Sequence, residues 1–277
     1  MTLSFPDWLR VTRGTAPLVV SLPHTGTEIP DAYRDGLVSL ALARKDCDWW
    51  IDILYDFATE LNASIVHTAV SRTVIDVNRD PSGVSLYPGQ ATTELCPITT
   101  FDGEPLYHAG RAPDAAAVAA RRAAYFDPYH TALAGEIAAA RQRHGTVVLY
   151  DCHSIRSVIP RLFEGTLPEF NIGTNSGQSC APELVRSIES ICADTGRPHV
   201  TDGRFKGGYI TRQYGRPPEG VHAVQMELAC RAYMHEPLGP LTPDQWPTPY
   251  DAAYAAPLRA ALRSIFETCL AFARARG

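Results

Sequence analysis

Two histidines that follow short apolar runs have the types of neighbour that a metal site needs. His24 follows the run in "VVSLPHTGT", and His153 follows the run in "VVLYDCHSIRS", where Asp151 stands two residues before it. A catalytic zinc site uses three protein ligands and one open position, and an acid beside a ligating imidazole orients the ring. The pattern therefore predicts His24 and His153 as metal ligands, with Asp151 as an orienting acid. The alternative is that each is a hydrogen-bonded loop histidine.

The third ligand is expected to be a carboxylate, because no other histidine has a comparable position. Glu28 lies four residues after His24, while Asp48 and Asp46 lie at the start of a predicted helix. At a helix start, the competing role of an aspartate is the N-cap. The spacing alone slightly favours Glu28 and leaves Asp48 and Asp46 open.

Glu227 stands among apolar residues in "VHAVQMELAC". A carboxylate in a buried run is costly unless it is paired or used. One interpretation is a general base that takes a proton from a water activated by a metal. The other is a buried charge paired with an arginine.

Basic and amide side chains cluster in "SRTVIDVNRDP", which contains Arg72, Asp76, Asn78 and Arg79. Arginine guanidinium groups bind carboxylates in a bidentate geometry. The two arginines and the asparagine therefore indicate an acidic substrate near the metal. The alternative is an Arg–Asp pair that only ties this segment to the fold.

A second basic stretch, "GRFKGGYITRQYG", contains Lys206 and Arg212 beside glycines that permit close backbone approach. It lacks the G-x-x-x-x-G-K-[ST] pattern, so a phosphate-binding loop is not expected.

The elements that must position these residues alternate between strands and helices. Short β-branched runs predict strands at 16–22, 63–70, 72–77, 145–151, 199–203 and 221–229. Helical spacing predicts helices at 47–62, at 113–145 (one helix, or two broken near Pro128), at 181–196 and over the last 25 or so residues. The sequence thus predicts an α/β fold, a single domain over 1–277 whose mixed, mainly parallel sheet carries helices on both faces. Residues 79–107 and 216–223 lack a regular pattern, and the first is expected to be a lid or binding loop.

The composition excludes several classes of function. With 277 residues, 45% hydrophobic and 20% charged, and a net charge of −5, the chain is not expected to bind nucleic acid or membranes. The N-terminus shows no secretory pattern. Seven scattered cysteines without a C-x-x-C pair indicate free thiols, and therefore a cytoplasmic protein. The oligomeric state stays open, with a monomer slightly favoured.

Eight short motifs between residues 17 and 234 together resemble the N-formylglutamate amidohydrolase family, the formylglutamate deformylases of histidine degradation. They are, in chain order, "SLPHTGT", "DWWIDILYDFA", "SRTVIDVNRDP", "DCHSIRS", "PRLFEG", "FNIGT", "GRFKGGYITRQYG" and "VQMELACRAYM".

The resemblance implies a metal-dependent amide hydrolase whose fold is zinc-carboxypeptidase-like (phosphorylase/hydrolase-like), related to zinc carboxypeptidases and aspartoacylase. The family has an acid at the start of the "DW" helix and can have a basic residue at the position of Glu28. It therefore implies His24, Asp48 and His153 as ligands of Zn²⁺, or of another divalent metal such as Co²⁺.

The same resemblance assigns the catalytic and substrate-binding roles. Glu227 matches the catalytic glutamate, and Asn78 with Arg79 resembles a pair that grips substrate carboxylates. Arg72 would bind the substrate or polarise its carbonyl. Arg212, from the second basic stretch, is expected to help to hold the carboxylates. The implied reaction converts N-formyl-L-glutamate, a small acidic N-acyl amino acid, and water to formate and L-glutamate. The alternatives are another acylamino-acid or peptide amidase of this fold, and a non-catalytic binding protein for acidic metabolites.

Overall fold

Seven strands form one sheet in the computed structural model, which describes residues 5–86, 89, 91–237, 239 and 241–277. The strands are Leu9–Thr12 (β1), Leu18–Leu22 (β2), Ser64–Thr68 (β3), Val147–Ile155 (β4), Phe170–Gly173 (β5), His199–Thr201 (β6) and Val221–Ala229 (β7). Their order across the sheet is β1-β3-β2-β4-β7-β5-β6. Four neighbouring pairs are parallel, and the pairs β1–β3 and β5–β7 are antiparallel. The prediction of a mixed, mainly parallel sheet is confirmed.

Seven α-helices accompany the sheet within the described residues. They are Leu40–Arg44 (α1), Ile51–Leu54 (α2), Ala115–Arg121 (α3), Asp127–His144 (α4), Pro182–Asp194 (α5), Tyr209–Tyr214 (α6) and Ala252–Arg274 (α7). Single 3-10 turns occupy Asp31–Tyr33, Asp56–Ala58, Pro217–Glu219 and Cys230–Ala232, and a π-helical turn occupies Arg122–Phe126.

Helices cover both faces of the sheet, because alternate residues of the buried strands point to opposite sides. On one face Tyr150 of β4 packs with Phe266 of α7, their ring centroids 4.7 Å apart. On the other face Leu149 belongs to the same apolar cluster as Leu133 of α4. Parallel pairing of β2, β4 and β7 brings their carboxyl ends to one edge, where a ligand site is expected in such sheets.

The strand predicted at 72–77 is wrong, since this segment consists of turns. The amide of Val74 donates to the carbonyl of Ser71, and the amide of Asn78 donates to the carboxylate of Asp76. Arg72 donates to the same carboxylate over 2.6 Å. The Asp76 carboxylate thus accepts hydrogen bonds in this segment, where a strand would pair with a neighbouring strand. The buried apolar residues of the segment account for its strand-like sequence pattern.

The helix predicted at 47–62 is also wrong in part, because it is reduced to α2 and one 3-10 turn. Trp50 adopts a φ of +64°, which no α-helix accommodates, so the residues before it lie outside the helix. The predicted end at Asn62 agrees with its φ of +55°.

Of the two alternatives for 113–145, the structure favours one continuous helical run, in which the π-helical turn joins α3 to α4 just before Pro128. Strands β1 and β5, each only four residues long, escaped prediction because a run of that length gives little periodic signal.

All seven cysteines are free and buried, as the scattered spacing predicts. In the ranges that the structure describes, none of the helices combines the length and the apolar character needed to cross a bilayer. The single domain over residues 1–277 stays a prediction.

Candidate metal and catalytic site

Three buried side chains from separate segments meet at the carboxyl edge of the sheet. His24 lies two residues after β2, Asp48 lies between α1 and α2, and His153 lies within β4. One ligand atom from each lies within 4.8 Å of the others. The amide of Asp48 donates to the carbonyl of His24 over 3.0 Å, which holds the two side chains together. This geometry can hold a metal ion.

The other two carboxylates that the spacing left open lie elsewhere. Glu28 is exposed on the surface, so the slight preference that spacing gave it is not supported. Asp46 accepts from the amide of Phe101 over 2.7 Å and pairs with Arg156 over 3.2 Å. Asp46 therefore anchors a loop.

Each imidazole is oriented by a buried acid. Nε2 of His24 lies 2.7 Å from Oδ1 of Asp76, and Nε2 of His153 lies 3.0 Å from Oδ2 of Asp151. An Nε2–H that donates to a carboxylate leaves the lone pair on Nδ1. The two Nδ1 atoms lie 3.8 Å (His24) and 3.1 Å (His153) from Oδ2 of Asp48. In its neutral form, each ring with Nε2–H as the donor has its lone pair on the Nδ1 that faces Asp48.

Asp48 itself has the features of a ligand. Its Oδ2 accepts from the amide of Ser154 over 3.1 Å, whereas Oδ1 is buried with no hydrogen-bond partner in the described ranges. An unsatisfied buried carboxylate oxygen is costly, and a cation beside it would remove that cost. The N-cap role is wrong for Asp48, because Trp50 occupies the N-cap of α2. Two nitrogens and one oxygen fit zinc or another divalent transition metal.

The acids around the two rings give them different proton affinities. Burial, followed by the charge of Arg72, lowers the pKa of His24. Burial also acts to lower the pKa of His153, but Asp151 and Asp48 outweigh it and hold that pKa well above its usual value. A cation that binds at His153 must therefore displace a firmly held proton.

Glu227 lies on β7 directly opposite His153 on β4. Burial is the main cause that raises the pKa of Glu227 to about 8, and the charges of Asp48 and Asp151 add to it. Gln225, on the same face of β7, donates to Oε2 of Glu227 over 3.2 Å. A carboxylate with a raised pKa accepts protons readily near neutral pH.

Arg72 is held in the site rather than paired with Glu227. Its Nη2 lies 2.6 Å from Asp76, and its Nη1 lies 3.1 Å from Nδ1 of His24. The ring of Phe101 covers the guanidinium, whose carbon lies 4.7 Å from the ring centroid. The arginine-paired alternative for Glu227 is not seen among the described ion pairs.

Asn78 connects a loop to the second histidine. Its Nδ2 lies 3.1 Å from Asp151 and 2.8 Å from Nε2 of His153, while its Oδ1 accepts from the amide of Ile210. Gly208 packs so closely that a Cβ there would lie 2.5 Å from Nδ2 of Asn78. Only glycine fits at this position.

A pocket opens onto these residues. Its described lining comprises His24, Arg72, Asn78, Arg79, Ala91, Thr92, Thr93, Phe101, His153, Ser154, Ile155, Leu162, Arg204, Phe205, Gly208, Gln225 and Glu227. Three arginines in one pocket suit an anionic ligand. The loop at 79–107 supplies part of the wall, as expected of a binding loop, although residues 87, 88 and 90 lie outside the described residues.

Comparison with known proteins identifies the relatives of this chain. The model of the family described as N-formylglutamate amidohydrolase matches residues 16–234. This chain belongs to that family. The N-formylglutamate deformylase of Pseudomonas aeruginosa is 47% identical to it, over 97% of this chain and 98% of the relative. The N-formylglutamate deformylase of Pseudomonas putida is 44% identical, over 95% and 96%.

Solved structures support the same fold. The crystal structure of N-formylglutamate amidohydrolase from Ralstonia eutropha JMP134 superposes with a TM-score of 0.76 and 24% identity, covering 96% of each chain. A gene product of Agrobacterium tumefaciens superposes with a TM-score of 0.67 and 19% identity, also covering 96% of each chain.

Two residues that shape the site, Asp76 and Arg204, were not predicted to be site residues from the sequence. Asp76 orients His24, and its signal was an acid inside the apolar run "TVIDV". Arg204 lines the pocket two positions before Lys206, in the basic stretch already recognised. Arg212 is absent from the described pocket lining, and its Nε donates to the carbonyl of Gly207. Its substrate-binding role stays a prediction.

Proposed function

We propose that this chain is a zinc-dependent N-formylglutamate deformylase, which converts N-formyl-L-glutamate and water to formate and L-glutamate. The observation that carries the proposal is the buried group of His24, Asp48 and His153, whose two histidines line the same pocket as Glu227. The names of two relatives at 44% and 47% identity support the substrate. The proposal includes a zinc-carboxypeptidase-like fold and, from the free cysteines, a cytoplasmic location.

The proposed substrate carries two carboxylates, and the pocket offers matching cations. Arg79 lies beside Asn78 and donates to Thr93 over 3.2 Å, which fixes its guanidinium on the pocket wall. We assign Arg79 and Asn78 to carboxylate binding. Arg72, fixed by Asp76 near the ligand group, faces the reacting formyl group.

His24, Asp48 and His153 would hold the zinc, which when bound supplies a Lewis acid that activates water and polarises a carbonyl. Glu227 accepts the proton of the attacking water and delivers it to the amine nitrogen as the C–N bond breaks. Arg72 stabilises the negative charge that develops on the formyl oxygen. The buried position of Glu227 keeps bulk water away from this proton transfer.

Formate release from N-formyl-L-glutamate, measured with the purified chain beside its metal content, tests the proposal. Release that stops on chelation and returns with Zn²⁺ or Co²⁺ is expected. Equal rates with N-acetylated amino acids would favour a broader amidase of this fold. Binding of N-formylglutamate by the metal-loaded protein without formate release would favour the non-catalytic binding protein.

A further inference from the structure

Arg204 lines the same pocket as Glu227 but comes from a different part of the fold than Arg72 and Arg79. It lies on the segment 202–208, which connects β6 to α6. This segment returns from the edge of the sheet towards the pocket, where Phe205 and Gly208 also line the wall.

The guanidinium of Arg204 is fixed between loops. Its Nε donates to the carbonyl of Leu162 over 2.8 Å, and its Nη2 donates to the carbonyl of Ala91 over 3.1 Å. Its guanidinium carbon lies 5.1 Å from the centroid of the Phe205 ring. A cation held in this way loses little conformational entropy when it binds a ligand.

Arg79, in contrast, lies close to the metal ligands. Its Nε is 3.6 Å from Oδ2 of Asp76, and Oδ1 of the same carboxylate is 2.7 Å from Nε2 of His24. One carboxylate therefore separates Arg79 from a ligand, whereas Arg204 donates to the carbonyls of Leu162 and Ala91, in two loops that contain none of the metal ligands.

The two carboxylates of the proposed substrate likewise lie at different distances from the reacting amide. In N-formylglutamate, the α-carboxylate is attached to the carbon next to the reacting amide. The side-chain carboxylate lies two methylene groups further away. Leu162, Phe205 and Ile155 give this part of the pocket an apolar wall against which those methylenes can pack.

We propose that Arg204 binds the side-chain carboxylate and so sets the preference for acidic N-formyl amino acids, while Arg79 binds the α-carboxylate. This assignment rests on the proposed deformylase function and extends it to substrate specificity.

Three substrates separate the two roles. N-formyl-L-glutamate has both carboxylates, N-formyl-L-glutamine has only the α-carboxylate, and N-formyl-4-aminobutyrate has only the distal one. For R204Q, kcat/KM is expected to fall about 10²–10³-fold on N-formylglutamate and N-formyl-4-aminobutyrate, and to change little on N-formylglutamine. For R79Q, the loss should appear on N-formylglutamate and N-formylglutamine instead.

The matched control is R186Q, which removes an exposed arginine of α5 and should leave all three values unchanged. An equal loss on all three substrates in R204Q would overturn the assignment, because it would show a general structural effect.

If R204Q does not fold, R204K is the variant that tests the assignment. It keeps the charge but loses the planar donor pair, so the preference for glutamate over glutamine should fall about tenfold. An unchanged preference in R204K would contradict the proposal.

Failure of the underlying function gives a different result. In that case the native enzyme would release no formate from N-formylglutamate, before any variant is compared.

Discussion

The two ends of the pocket are built in different ways. At the metal end, His153 and Glu227 stand opposite each other on β4 and β7, two parallel strands whose residues are all buried. At the end assigned to the side-chain carboxylate, Arg204 and Leu162 come from segments without helix or strand. Paired strands thus fix His153 and Glu227, while His24, Asp48 and Arg72 come from loops beside them, and loops also form the surface assigned to recognition.

This division has a physical reason. Proton transfer and metal coordination tolerate errors of only a few tenths of an ångström, so they need a rigid backbone. Strand pairing supplies it for His153 and Glu227, and the hydrogen bond from the amide of Asp48 to the carbonyl of His24 supplies it for the two loop ligands. Recognition of a second carboxylate tolerates more adjustment, and loops can change without disturbing the sheet. Changes to the metal ligands or Glu227 should therefore abolish the reaction, whereas changes around Arg204 should alter the choice of substrate.

The largest effect is expected from the metal ligands. H24A, D48A and H153A should each lose the bound metal, and formate release should fall to background, because two ligands do not hold a divalent ion tightly. Metal analysis of the purified variants is the measurement. E28A changes an exposed carboxylate close to His24 and should keep its metal. Loss of metal in E28A with retention in D48A would reverse the ligand assignment.

Glu227 should give the next largest effect. E227Q is nearly isosteric, so metal content and melting temperature should be preserved. Because an amide cannot accept the proton, kcat for formate release should fall about 10²–10⁴-fold. E219Q, in the exposed turn before β7, is the control and should be fully active. A folded, metal-loaded E227Q with near-native kcat would remove Glu227 from the mechanism, and an unfolded variant would indicate a structural role.

The orienting acids sharpen the comparison between strand and loop. Asp151 lies in β4, whereas Asp76 lies in the turns after β3. D151N and D76N should each weaken metal binding about 10–100-fold, because each histidine loses the carboxylate that fixes its ring. Only D76N also removes the nearest ion-pair partner of buried Arg72, which then keeps the 3.9 Å contact with Asp48. It should therefore lower the free energy of unfolding by about 3–5 kcal/mol.

Metal titration and urea unfolding of the two variants give both values. Equal losses in the free energy of unfolding would show that the turns at 72–77 depend no more on Asp76 than β4 depends on Asp151. That result would contradict the interpretation that the Asp76 carboxylate organises the turns at 72–77.

The same contrast explains what the sequence could predict. The Asp151–His153 pair lies within one strand, so its spacing was visible, and the apolar runs gave the sheet and most helices. The partner of His24 lies 52 residues away in a segment whose buried apolar residues imitate a strand. Trp50 has a left-handed backbone that no periodicity signals. The pocket position of Arg204 depends on carbonyls of two distant loops, and local sequence does not encode such contacts.

The smallest effect is expected where α4 holds the turn segment. Nε2 of His130 lies 2.9 Å from the carbonyl of Val77, and its Nδ1 lies 2.9 Å from the hydroxyl of Tyr214. A neutral ring can satisfy both contacts, since Nε2–H donates to the carbonyl and Nδ1 accepts from the hydroxyl. His130 thus ties the segment that carries Asp76 and Arg79 to α4 and α6.

Burial lowers the pKa of His130 from 6.5 to about 4. The unfolded chain therefore binds a proton here that the folded chain does not, between about pH 6.5 and pH 4. The free energy of unfolding should fall by up to about 3 kcal/mol through this window as the pH drops. H130Q keeps a donor for the carbonyl of Val77 but cannot titrate, so its stability should lose that part of the pH dependence. Urea unfolding of the native protein and of H130Q at pH 7, 5.5 and 4.5 measures how the free energy of unfolding depends on pH. H108Q, at an exposed position, is the control and should keep the native dependence. Parallel curves for the native protein and H130Q would show that the protonation of His130 does not destabilise the segment that positions Asp76.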